Sequence, residues 1–141
     1  MPGQTDDLAP ALRMAVMRLA RRLRLEDTAA GATLSQLSAL AVIEKFGPIG
    51  IGDLAVRERV QPPTMTRMVT KLEVLGLIGR TGDPKDGRIV RVAITNAGGK
   101  ALADSRRRRT AFLAANVVTL SDSDRRALIR ALPILERLAD A

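Results

Sequence analysis

QPPTMTRMVTKLEVLGLIGRTGDPKDGRIVRVAIT, residues 61–95, decides the fold. Met65, Met68, Val69, Leu72 and Leu75 recur at spacings of three and four, so this part is a helix with one core face. The opposite face carries Pro63, Thr64, Thr66, Arg67, Thr70 and Lys71. Gln61 stands at the cap position, and Pro62 fits the first turn, where a missing N–H costs nothing. Gly76 stops the helix. Leu77 to Arg80 and Ile89 to Ile94 then read as two strands, with Val90, Val92 and Ile94 alternating. Residues 82–88 between them are rich in turn formers. A helix followed by a charged hairpin suits a DNA groove, and sequence-specific DNA binding is the expectation.

The residue types on this unit fit that expectation. Threonine offers a hydrogen bond to a base or phosphate and a methyl for thymine, and Arg67 can read guanine bidentately. A helix N-terminus favours phosphate oxygens, and Lys71, further along, suits a phosphate contact. Asp86 can accept from Arg88 or nearby backbone and hold the hairpin tip in shape. An arginine fixed there can enter a narrow minor groove, drawn by its negative potential. Lys85 reads equally as a solvated tip residue.

Outward from this stretch the chain reads as helices. Residues 1–7 are expected to be loose. Leu8, Leu12, Val16, Leu19 and Leu23 give a stripe for a helix from Leu8 to Leu25, with Arg13, Arg18, Arg21, Arg22 and Arg24 mostly on its solvated side. After a small-residue connection, Thr33 and Gln36 match a capping box, opening a helix with Leu34, Leu37, Leu40, Ala41 and Ile43 that ends near Phe46. Gly50-Ile51-Gly52 leads into a short helix, Asp53 to Arg59. Beyond the hairpin a long helix, Gly98 to Thr119, is rich in alanine. It contains Arg106 to Arg109, which fan around the axis and read as a solvated face with one or two phosphate contacts. Ser121 and Asp124 open a last helix striped by Leu128, Leu132, Leu135 and Leu138, which Pro133 should kink or shorten. The two terminal stripes exceed what one small middle segment can cover. A symmetric homodimer is expected, with intramolecular packing as the alternative.

Composition bounds the chemistry. The 141 residues carry a net charge of +8, and residues 61–100 hold seven basic against three acidic side chains. Such a balance points to an anionic partner, nucleic acid first, although a basic surface also serves solubility. Two phenylalanines are the only aromatics, which weakens a base-stacking, single-strand-binding reading. There is no cysteine and no histidine. Disulfides, the usual zinc sites and histidine-dependent catalysis are excluded. With no nucleophile–base pair, metal cluster or phosphate-binding glycine loop, neither an enzyme nor a cofactor is expected. No secretory signal is apparent and no apolar run approaches the roughly 18 residues that span a bilayer, so a cytoplasmic protein without membrane contact is expected.

Together these pieces resemble the MarR family of bacterial transcriptional regulators. The resemblance rests on Asp53-Leu54-Ala55, Thr64-Met65-Thr66-Arg67, Leu72 to Ile78, Arg80, Asp83-Pro84-Lys85-Asp86-Gly87-Arg88, and Thr95 with Gly98. It implies a mainly α protein with a small β-hairpin wing. Residues 1–33 would form an N-terminal dimerisation helix, 34–96 a winged helix-turn-helix lobe and 97–141 C-terminal dimerisation helices. It further implies a homodimeric repressor on a palindromic operator, released by a small aromatic or anionic ligand bound between the dimerisation helices and the lobe. The DNA contacts would be Gln61, Pro62, Pro63, Thr64, Thr66, Arg67, Thr70, Lys71, Arg80, Lys85, Asp86 and Arg88. Two departures stand out: Pro62-Pro63 replaces a polar start, and Gly87 stands where arginine is common. Without cysteine, thiol-based peroxide sensing cannot occur. The rival readings are a winged-helix protein-interaction module and a nonspecific architectural DNA binder.

Overall fold

A computed structural model describes residues 2–27, 31–83 and 85–141, the first three of these by backbone alone. Six helices and a small sheet follow in the order α1 (Pro2–Glu26), α2 (Leu34–Phe46), β1 (Ile49–Gly50), α3 (Ile51–Glu58), α4 (Pro62–Val74), β2 (Ile78–Gly82), β3 (Val90–Ile94), α5 (Asn96–Val117) and α6 (Asp122–Ala139).

The sheet is antiparallel with order β1-β3-β2, Ile49 opposite Val92 and Ile78 opposite Ile94. The sequence shows only the hairpin. The third strand is two residues long, too short for an alternating pattern to register. Around the sheet, Leu37, Leu40 and Ile43 of α2, Leu54 of α3, Met65, Val69 and Leu72 of α4, Val92 of β3 and Leu102 of α5 form one buried cluster. At about 1.5–3 kcal/mol for each fully buried aliphatic side chain, this cluster is what holds α4 in place. The three–four spacing therefore does its work, with two exceptions. Leu75 and Leu34 lie at helix ends, beyond the cluster, and are exposed.

Local signals set the boundaries. The Thr33 hydroxyl accepts from the Gln36 N–H at 3.2 Å while Gln36 Oε1 accepts from the Thr33 N–H at 2.8 Å, completing the capping box. Gly76, at φ +74°, closes α4, and the Leu77 N–H donates to the Leu72 carbonyl at 3.0 Å. The α4–β2 junction is tied directly to the start of α5. The Thr95 hydroxyl donates to the Gly76 carbonyl at 2.7 Å, the Thr95 N–H to the Leu77 carbonyl at 3.1 Å, and the Gly98 N–H to the Thr95 hydroxyl at 3.1 Å.

Three expectations need correction. Helix α1 begins at Pro2 rather than Leu8, since proline suits a first helical turn and nothing before Leu8 forbids helix. Pro133 does not shorten α6, which continues to Ala139. The four arginines 106–109 are not simply solvated, because each meets a carboxylate. Arg106 reaches Glu44 at 3.0 Å, Arg107 pairs with Asp104, Arg108 reaches Asp27 at 2.8 Å and Arg109 lies 3.7 Å from Asp27. Asp27 is buried at the end of α1 and also accepts from the Ser105 hydroxyl. This cluster joins α1 to α5. The connection at residues 28–30 lies outside the described residues.

The terminal stripes remain uncovered. No residue of α6 is buried, and Leu128, Ile129, Leu132 and Leu138 are exposed, as are Leu8, Met14, Val16 and Met17 on α1. Leu12, Val16, Leu19 and Leu23 face Leu135 and Leu138 across an apolar groove of about 490 Å³.

Candidate nucleic-acid interface

Helix α4 presents one sealed and one open face. Met65, Val69 and Leu72 are inaccessible to solvent, which turns Pro63, Arg67 and Thr70 outward with Val74, itself 81 % exposed. Gln61 occupies the cap position but its side chain makes no capping bond; its carbonyl accepts from the Met65 N–H at 3.1 Å. Gln61 therefore stays uncommitted beside the open face, contrary to the capping role its position suggests. Arg67 donates to the Thr64 hydroxyl at 3.4 Å. Thr64, Arg67 and Lys71 also line a cleft of about 200 Å³ with Thr33 and Gln36, so the start of α2 adjoins the open face.

Thr66 and Thr70 are less available than their type suggests. The Thr66 hydroxyl donates to the Pro62 carbonyl and the Thr70 hydroxyl to the Thr66 carbonyl, both at 3.0 Å. Arg80, on β2, is folded onto α4: it donates to Glu73 at 2.7 Å and approaches the Thr70 hydroxyl at 3.5 Å. Its guanidinium fixes the wing against the helix.

The tip of the β2–β3 hairpin is organised by two carboxylates. Asp83 accepts from the Lys85 N–H at 2.7 Å and the Asp86 N–H at 3.3 Å, and its second oxygen accepts from Arg91 at 3.0 Å. The Lys85 amide bond is the main cause holding Asp83 below the usual carboxylate range, with Arg91 assisting against partial burial. Asp86 accepts from the Arg88 N–H at 3.0 Å and from its guanidinium at 3.2 and 3.3 Å. That fork, first, and the amide bond, second, also keep Asp86 low. Arg88 is thus oriented while its side chain stays 92 % exposed. Lys85 contributes its amide to the tip and leaves its side chain exposed.

The structure therefore draws the twelve candidates into two groups. One is α4 with Arg80, and the other is the tip with Lys85, Asp86 and Arg88. Asp83 and Arg91 were missed as organisers of the tip. An aspartate opening a proline-containing turn was a readable signal for the first, but nothing in the sequence marked Arg91 as its partner.

A helix-turn-helix of α3 and α4 flanked by a hairpin wing defines a DNA-binding protein of the winged-helix class. A profile of the MarR family matches residues 32–90. The chain is 41 % identical to the uncharacterised HTH-type transcriptional regulator Mb0904 of Mycobacterium bovis, over 94 % of this chain and 93 % of that one. It is 27 % identical to the HTH-type transcriptional repressor MdtR of Bacillus subtilis, over 96 % and 88 %. A Pseudomonas aeruginosa crystal structure, solved as a candidate transcriptional regulator, superposes with a TM-score of 0.88 at 34 % identity, covering 98 % of this chain and 97 % of that one. The chain belongs to the MarR family of transcriptional regulators. It is a regulator and not an enzyme.

Proposed function

We propose that the protein is a homodimeric repressor that reads a palindromic operator and is released by a small molecule. The observation that carries the DNA reading is the open face of α4. Its core side is sealed, so Gln61, Pro62, Pro63, Thr64, Thr66, Arg67, Thr70 and Lys71 lie outside, where a major groove would meet them. Arg88, held by Asp86 yet exposed, suits the adjacent minor groove, with Lys85 on flanking phosphate. Arg80 acts here by fixing the wing to the helix.

The homodimer is supported by α1 and α6. Segments 1–33 and 97–141 would interlock with those of a second copy around lobes formed by 34–96, because an α6 without one buried residue needs a partner surface. Two reading helices set about 34 Å apart would address half-sites one DNA turn apart. Repression is the reading that MdtR's name supports. A ligand-release step is supported by family membership and by a cleft of about 160 Å³ where Arg24 and Asp27 meet Leu34 and Leu37. A small aromatic or anionic effector would suit it. Acting on chromosomal DNA, the protein would work in the cytoplasm.

The test is selection of bound duplexes from a random pool, followed by mobility-shift titration across salt. A palindromic consensus whose binding weakens steeply with salt is expected. Selection without a consensus would favour a nonspecific architectural protein, and no binding to any duplex a protein-interaction module. Light scattering should return twice the 15.2 kDa chain mass; a monomeric mass would reject the dimer.

A further inference from the structure

We propose that α4 reads thymine methyl groups, with Pro63, Thr66 and Thr70 as the specificity-determining residues around a single guanine reader, Arg67. This rests on α4 being the helix that enters the major groove.

The argument is an inventory of donors. A reading helix ordinarily offers N–H groups from its first turn and hydroxyls from its side chains. Pro62 and Pro63 have no N–H, and the Met65 N–H is already donated to the Gln61 carbonyl. The Thr66 and Thr70 hydroxyl hydrogens are directed into the helix's own carbonyls, a back-bonding that competes with external partners. The donors left, the Thr64 N–H, its hydroxyl hydrogen and the Gln61 amide, lie at the first turn, where the Thr64 hydroxyl oxygen also accepts from Arg67. What the middle of the open face retains is apolar: a proline ring, two threonine methyls and, one turn further, the exposed Val74. Among the four base pairs, only thymine places a methyl in the major groove, where such carbon surface finds a match. Arg67, on the same line of the helix, supplies the one strong donor fork. The expected half-site therefore sets a guanine beside thymines whose methyls face α4.

The experiment uses the full-length protein and a duplex obtained by selection. Thymines of each half-site are replaced singly by deoxyuridine, which removes only the 5-methyl group. Binding should weaken about four-fold for each methyl that touches the helix, while replacement outside the half-sites has no effect. Thr66→Val keeps the methyl and loses the hydroxyl, so it should keep the full distinction between thymine and deoxyuridine. Thr66→Ser keeps the hydroxyl and loses one methyl, so it should bind more weakly and lose the distinction between thymine and deoxyuridine at one position. Tight binding that is indifferent to deoxyuridine, or a Thr66→Val loss that Thr66→Ser does not share, would overturn the proposal while leaving DNA binding intact. Failure to bind the selected duplex at all would instead reject the DNA reading of α4.

Discussion

Gly98→Ala tests how the DNA-binding lobe is joined to α5. A Cβ at Gly98 would stand 2.0 Å from the Leu77 carbonyl oxygen, 2.8 Å from Ile94 Cγ1 and 3.0 Å from the Leu77 carbonyl carbon. A relaxed C···O contact is about 3.3 Å, so α5 and the Leu77 carbonyl must separate by roughly 1 Å. The obstacle is backbone, which cannot rotate away as a side chain would. That same oxygen accepts the Thr95 N–H, and its displacement forfeits a hydrogen bond of about 1 kcal/mol. Overpacking adds about 1–3 kcal/mol, while alanine's helix preference returns about 1. A net loss of about 1–3 kcal/mol follows. The neighbouring position provides the control. A Cβ at Gly99 meets nothing within 4 Å, so Gly99→Ala should stabilise by about 0.5–1 kcal/mol. Urea unfolding followed by circular dichroism, at one protomer concentration because association shifts stability, measures both. Two variants within 0.5 kcal/mol of each other would refute the close approach of α5 to the Leu77 carbonyl.

Asp27→Asn should destabilise by about 2 kcal/mol, less than a fully buried pair would lose, because Arg108 and Arg109 are each about a third exposed and can turn to water; thermal unfolding checks it. Arg67→Ala should cost about 1–3 kcal/mol on the selected site and little on random duplex, and equal losses on both would make it a phosphate anchor. Arg88→Ala should weaken binding and its dependence on A·T-rich flanks, and an unchanged mobility-shift titration would reject minor-groove insertion. Asp83 and Asp86 are both held below their unfolded values, so the order they give the wing is complete above the usual carboxylate range and is lost as pH falls through their depressed values. The protection of the Lys85, Asp86 and Arg88 amides, each rate taken relative to that of an unprotected amide at the same pH, should fall only in that acidic window.

The legible parts of this protein were those that repeat or that sit close in sequence. The α4 core face, the Thr33–Gln36 box, the Gly76 stop and the Asp86–Arg88 pair all act within four residues or follow a fixed period, and each could be read directly. Other features depend on contacts that the chain brings together from afar. Asp27 meets Arg108 across 81 residues, so the run 106–109 looked like solvated charge. Arg80 and Glu73 are near in sequence, but their pairing requires β2 to turn back along α4. The use of the threonine hydroxyls was also hidden, since residue type shows a donor and not where it points.

The Thr95–Gly98 tie has a mechanical meaning as well. Helix α5 has 22 residues, so at 1.5 Å per residue it extends about 33 Å from that tie. It is a lever with α4 fixed at its short end. A shift of about 3 Å at the far end of such an arm corresponds to only about 5° at α4. Displacements produced among the terminal helices would therefore reach the groove strongly geared down, as small changes of pitch.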